Sequence, residues 1–223
     1  MALAMTDANI VVLAQTHNPT IPSRDWLCAK GVFQEADFSE DYEKQFVHTP
    51  AFAACETKGY SFFVDEGRLQ IGAKLQSGAT SLDHLVTKVR QYVTSLPETR
   101  YVAVGFNFGH IATFPDAGSR AAFARDSLGK GALRRAVPEE EAHFGMGVIL
   151  TWKEECANIR IVIEPKADDE ASYLVNTNVH LALDGQERPV EGIVRQLGHY
   201  QSWCKRVSDT LERLFGNVKG GSP

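Results

Sequence analysis

The sequence predicts an α+β fold, a largely antiparallel sheet with amphipathic helices on one face and a long C-terminal helix. Three observations carry that reading. Leu69, Ile71, Ala73 and Leu75 alternate with Gln70, Gly72 and Lys74, the period of a strand that buries one face. Leu82, Leu85, Val86, Val89, Val93 and Leu96 recur at helical spacing up to Pro97. Ile193, Leu197, Tyr200, Cys204, Val207, Leu211 and Leu214 alternate in steps of four and three, a heptad seam.

The opening strand reads as Ile10 to Ala14. In HNPTIPSRDWLCAKG two prolines forbid a regular element, and a short helical turn from Arg24 to Ala29 follows, ended by Gly31. In QEADFSEDYEKQF the aromatics Phe38, Tyr42 and Phe46 stand four apart, which predicts a helix with Glu35, Asp37, Glu40, Asp41 and Glu43 on its outer face. From Ala51 the period changes to two, and GYSFFVDEGRLQIGAKL forms a hairpin turning at Asp65-Glu66-Gly67. Thr80, ahead of Asp83, is a capping arrangement for the next helix, and RYVAVGFNF is the strand after it.

Pro115 to Pro138 is rich in glycine and alanine and reads as a short helix plus a loop. A second hairpin, from Met146 to Ile163, sets Val148, Leu150 and Trp152 on one arm and Ile159, Ile161 and Ile163 on the other. The strand after it alternates through Tyr173, Val175, Val179, Leu181 and Leu183 to the Asp184-Gly185 turn. The seam helix, Pro189 to Phe215, is roughly 40 Å long at about 1.5 Å per residue. Residues 1–216 therefore read as one domain with internal halves 1–114 and 138–216, and 217–223 as a flexible tail. Both halves run strands first and helix last, without a residue-level repeat.

Composition limits what this domain does. Its 223 residues, 43% hydrophobic and 23% charged, are enough to bury a full core. A formal charge of −5 argues against a nucleic-acid surface spread over the whole molecule, leaving only a local basic segment for that role. No run approaches the roughly 20 apolar residues of a membrane helix, and the first residues lack a basic leader, so a cytoplasmic location is expected. Cys28, Cys55, Cys156 and Cys204 form no CxxC pair and read as reduced core thiols.

The chemical motifs fail one by one. Seven histidines form no HExxH and no finger spacing. Glu139 and His143 are one turn apart, more simply an acidic first turn after Pro138. Gly129-Lys130-Gly131 lacks the earlier glycine and the following Ser or Thr of a phosphate loop, and Gly105 to Gly109 lacks the GxGxxG order. No catalytic residue, metal ligand or cofactor is nominated. Two features remain. Arg120, Arg125, Lys130, Arg134 and Arg135 face only Asp126 in their stretch, a candidate site for an anion or an acidic partner, with a solubilising loop as the plainer reading. Asn176, Asn178 and His180 share one strand face about 7 Å apart, a candidate ligand or peptide floor, with simple solvation as the plainer reading.

The closing segment, VRQLGHYQSWCKRVSDTLERLFG, and the start, NIVVLAQTHNP, resemble the two ends of a sporadically distributed bacterial family of uncharacterised α+β proteins. The general build is similar to SecB-like chaperones, a sheet with long helices on one face. The resemblance implies an accessory role in a mobile or defence-associated operon and brings no catalytic residues. The sequence thus points to a protein-interaction module, chaperone-like or an accessory subunit, binding a protein partner or a second copy through the sheet face and through Tyr200, Val207, Leu211 and Leu214 of the last helix. The competing expectation is an enzyme or sensor for a small phosphorylated or nucleotide ligand, with the Arg120 to Arg135 segment over the sheet and His180 as acid or base.

Overall fold

The computed structural model describes residues 1–39, 46–75, 82–128, 146–183, 185 and 188–216. Among these residues nine strands form one antiparallel sheet: β1 (Ala2–Ala14), β2 (Phe46–His48), β3 (Phe52–Glu56), β4 (Tyr60–Asp65), β5 (Arg68–Lys74), β6 (Tyr101–Thr113), β7 (Val148–Glu154), β8 (Ala157–Pro165) and β9 (Ser172–Ala182). Their spatial order is β2-β3-β4-β5-β1-β6-β9-β8-β7. The helices are α1 (Arg24–Ala29), α2 (Leu82–Ser95), α3 (Ala117–Phe123), α4 (Pro189–Leu197) and α5 (Tyr200–Gly216).

The order has a plain logic. β1 and β6 are the two long central strands, paired antiparallel with Ala8 opposite Phe108 and Asn9 opposite Asn107. Among the described residues each is followed by a short helix, then by a meander that works back from one edge to pair with it, then by one longer helix in the first half and two in the second. The two halves therefore meet in the middle of one sheet and share their architecture.

The helices cover one face. Ile10, Val12, Leu69, Ile71, Phe106, Val179 and Leu181 are inaccessible there. Tyr92 of α2 packs on Phe62, Phe123 of α3 on Tyr173, and Tyr200 of α5 on Phe106 and Phe108. Between α1 and α2, Phe33 meets Phe38 and Phe62 edge-on, and Lys88 lies over the Phe33 and Tyr60 rings while its ammonium bonds Asp37 at 2.8 Å. Such a cation is held by ring faces as well as by its carboxylate.

Several expectations are corrected. The opening strand begins at Ala2, because Asp7 and Asn9 project from the uncovered face and do not interrupt the strand. Within the predicted acidic-aromatic helix only a 3-10 turn, Glu35–Asp37, is seen; Phe38 is extended and Phe46 opens β2, while Glu40, Asp41, Tyr42 and Glu43 lie outside the described residues. Thr80, Asp184 and the tail 217–223 also lie outside them. Cys55 is buried, with burial pushing its thiol up to about 12, and Cys28 and Cys204 are half-buried, but Cys156 is exposed in the β7–β8 turn.

The single C-terminal helix is two helices. Gly198 N–H donates to the carbonyls of Val194 and Arg195, and His199 N–H to that of Gln196, so the chain tightens and restarts at Tyr200. A Cβ at Gly198 would sit 3.1 Å from the Arg195 carbonyl, which suits glycine at the bend. The buried stripe runs on across the turn: on α5 the buried residues are Tyr200, Trp203, Val207, Leu211 and Phe215, whereas Cys204 and Leu214 are half-buried. Tyr200, Val207 and Leu211, assigned above to a partner seam, are core residues packed inside this chain.

Candidate functional site

The face of the sheet opposite the helices carries the site. Side chains of paired residues in neighbouring strands stand side by side on one face, so the register defines rows that cross the sheet. One row runs through Thr151, Arg160, Asn178, Asn107, Asn9, Gly72 and Ser61, from β7 to β4. Every member is polar or glycine. The row beside it holds Lys153, Asn158, His180, Gly105, Val11, Gln70 and Phe63, and the row on the other side Ile149, Val162, Asn176, Gly109 and Asp7.

The centre of the first row is a hydrogen-bonded amide chain. Asn178 Nδ2 donates to Asn107 Oδ1 at 2.6 Å, and Asn107 Nδ2 donates to Asn9 Oδ1 at 2.7 Å. The three side chains come from β9, β6 and β1 and fix one another's orientation. A carboxamide carries two donor hydrogens and a carbonyl acceptor. The chain accordingly leaves donor capacity at Asn9 and an acceptor at Asn178.

Glycines make the row possible. A Cβ at Gly109 would collide with the Asp7 carboxylate, and one at Gly72 would lie 2.6 Å from Ser61 Oγ. Side chains from adjacent strands lie flat across these two positions, whereas at Gly105 a Cβ would meet the Asn178 amide at 3.4 Å, an ordinary contact. Two depressions follow on this face, one of about 430 Å³ between Thr151, Asn158, Arg160 and His180, the other of about 200 Å³ between Asp7, Asn9, Arg160 and Asn176. A third, of about 350 Å³, lies toward the far edge beside Val47, Phe63 and Gln70. A larger hollow, about 650 Å³, is a crevice between the Gln15–Asn18 and Ser95–Arg100 connections. It lacks a hydrogen-bonded polar array, so the sheet face is the stronger candidate.

Asn176, Asn178 and His180 stand together on this uncovered face, Asn176 exposed and the other two half-buried. Sequence reasoning missed Asn9, Asn107, Asp7 and Arg160. Their signal was present as polar residues alternating within apolar strands, in Asp7-Ala8-Asn9-Ile10 and in Gly105-Phe106-Asn107-Phe108-Gly109, but their meeting depends on strand order. The described members of the basic segment, Arg120 and Arg125, are not at this site. Arg120 is buried on the helix side with its guanidinium over the Tyr173 ring, Arg125 is half-buried in the turn of π-helix after α3, and Lys130, Arg134 and Arg135 lie outside the described residues. Glu139 and His143 lie outside them as well.

Among the described residues two histidines are perturbed, and both are elsewhere. His17, whose Nε2–H donates to the Val12 carbonyl at 3.1 Å, and His110 on the helix side of β6 are held below the ordinary imidazole range by burial. Among the described residues no group of three or more His, Cys, Asp or Glu side chains is arranged to hold a metal ion, and no helix is long and apolar enough to cross a membrane. No family model and no curated protein matches the chain.

Proposed function

We propose that this chain is a protein-interaction module that lays an extended polypeptide segment across the uncovered face of its sheet. The observation that carries the reading is the Asn178-Asn107-Asn9 amide chain at the centre of that face. Side-chain amides match the donor and acceptor of a peptide bond and read backbone independently of sequence. Half-buried Val11 and Val162 in the flanking rows, with Leu13 and Ile111 one row further out, offer apolar contact, and the shallow, open form suits a segment passing over it. The chaperone-like form of this reading, and a place as an accessory subunit of a defence-associated bacterial complex, rest on the SecB-like resemblance. A cytoplasmic setting accords with the free cysteines.

The test is binding of a labelled, permanently unfolded polypeptide such as reduced, carboxymethylated α-lactalbumin, followed by fluorescence anisotropy. Asn107→Leu with Asn178→Leu is expected to weaken binding about tenfold or more, while Glu212→Lys, on the exposed side of α5, leaves it unchanged. Equal binding by the double variant, or no binding by the unaltered protein, overturns the proposal. One observation favours a second reading: Arg160 and His180 share the 430 Å³ depression, where an anionic group of a small phosphorylated ligand would fit. Stabilisation by nucleotides in a thermal-shift series, abolished by Arg160→Glu, is its expected sign.

A further inference from the structure

The β7 strand is the outermost of the sheet, and among the described residues no strand pairs with its outer side. Unpaired strand edges template further pairing, and proteins blunt them by shortness, proline, bulges or central charge. β7 has none of these. It runs seven residues, VILTWKE, in unbroken register with β8, with no proline or glycine and with its two charges only at one end. Ile149 is 58% exposed and Leu150 and Trp152 are each 36% exposed, half of the six large hydrophobic residues that are exposed among those described. So dense an apolar stretch, on an edge with which no described strand pairs, calls for a cover.

We infer that two copies of this chain pair antiparallel through β7, joining their sheets into one. The strand is complementary to itself. A two-fold axis perpendicular to the sheet at Thr151 is the one register that pairs all of Val148–Glu154 in both copies. It sets Leu150 of each copy against Trp152 of the other on the helix side, and Ile149 against Lys153 on the uncovered side, where the lysine stem covers the isoleucine. Val148 meets Glu154, Thr151 meets itself, and no like charges oppose each other. The axis passes through the polar row, so the row of Thr151, Arg160, Asn178, Asn107 and Asn9 continues from one copy into the other on the same side.

Light scattering coupled to size exclusion, over about a hundredfold range of concentration, tests this. The unaltered protein is expected to have the mass of a dimer that dissociates on dilution. Ile149→Lys, at the most exposed of the three positions, opposes two ammonium groups in each of the two symmetric contacts and is expected to raise the dissociation constant about tenfold or more, with the melting temperature of the monomer unchanged. Adding Lys153→Glu turns both contacts into opposite-charge pairs and is expected to restore the dimer. A monomer at every concentration, including one that adds an extended peptide along β7, overturns the inference. So does a dimer indifferent to Ile149→Lys, or one that Lys153→Glu fails to rescue.

Discussion

From β1 the first half of the sheet returns through β5, β4 and β3 to a three-residue edge at β2, whereas from β6 the second half returns through β9 and β8 to a seven-residue edge at β7. The connection after β1 reaches the β2 edge, where His48 Nε2–H donates to the Pro19 carbonyl at 3.2 Å. It also supplies Phe33, Phe38 and Asp37 to the cluster around Lys88, and Lys58 bonds the Ala36 carbonyl beside it. The described part of the connection after β6 turns inward instead. There Phe123 stacks on Phe215 and meets Phe114, and Arg120 lies over Tyr173. One architecture thus ends in a short edge and in a long apolar one. Architecture alone does not decide whether a sheet edge is open; the residues spent on the edge strand do.

The largest effects should not distinguish the halves. Leu211 and Ile193 in the second half and Val89 in the first are all inaccessible. Replacing any of them with Asp buries an unpaired carboxylate, a cost of several kcal/mol that is a large part of the roughly 5–15 kcal/mol of a typical domain. We predict that Leu211→Asp, Ile193→Asp and Val89→Asp each unfold the whole protein in one thermal or urea transition, because one sheet spans both halves. A variant that loses only its own half would show that the halves fold as separate units.

What was legible in the sequence is what local period and turn chemistry encode. The β4–β5 hairpin is one case: Asp65 Oδ1 accepts the N–H groups of Gly67 and Arg68, closing the turn where the Asp-Glu-Gly run placed it. The β7–β8 register is another, with Val148, Leu150 and Trp152 paired to Ile163, Ile161 and Ile159. So are the bounds of α1, where Ser23 caps the helix by accepting the Trp26 N–H. The site was legible only in its β9 portion. Asn9 and Asn178 are far apart in the chain and are joined through Asn107 by strand order, a long-range property that no local pattern carries. The break at Gly198 was hidden for the opposite reason, since apolar spacing continues across it while the backbone does not.

A smaller effect sharpens the comparison by pH. His17 lies in the first half and His110 in the second, and burial depresses both imidazoles in the folded state. A depressed group binds its proton more readily when unfolded, so its contribution is full above the unfolded value near 6.5 and is lost as pH falls through that value toward the folded one. The melting temperature should therefore fall between about pH 7.5 and pH 5.5. His17→Gln and His110→Gln should each flatten part of that slope, and together most of it. A slope unchanged in the double variant would place the proton uptake elsewhere.

The central claim, that the uncovered face and not the helical face receives a polypeptide, is tested most directly by site-specific photo-cross-linking. A benzophenone side chain at Asn176, on the uncovered face, is compared with one at Glu212, on the exposed side of α5. Each protein is irradiated with the same labelled unfolded polypeptide. The account predicts adducts from position 176 that an excess of unlabelled polypeptide competes away, and none above background from position 212. Adducts from 212 with none from 176 would contradict it and move the binding surface to the helices.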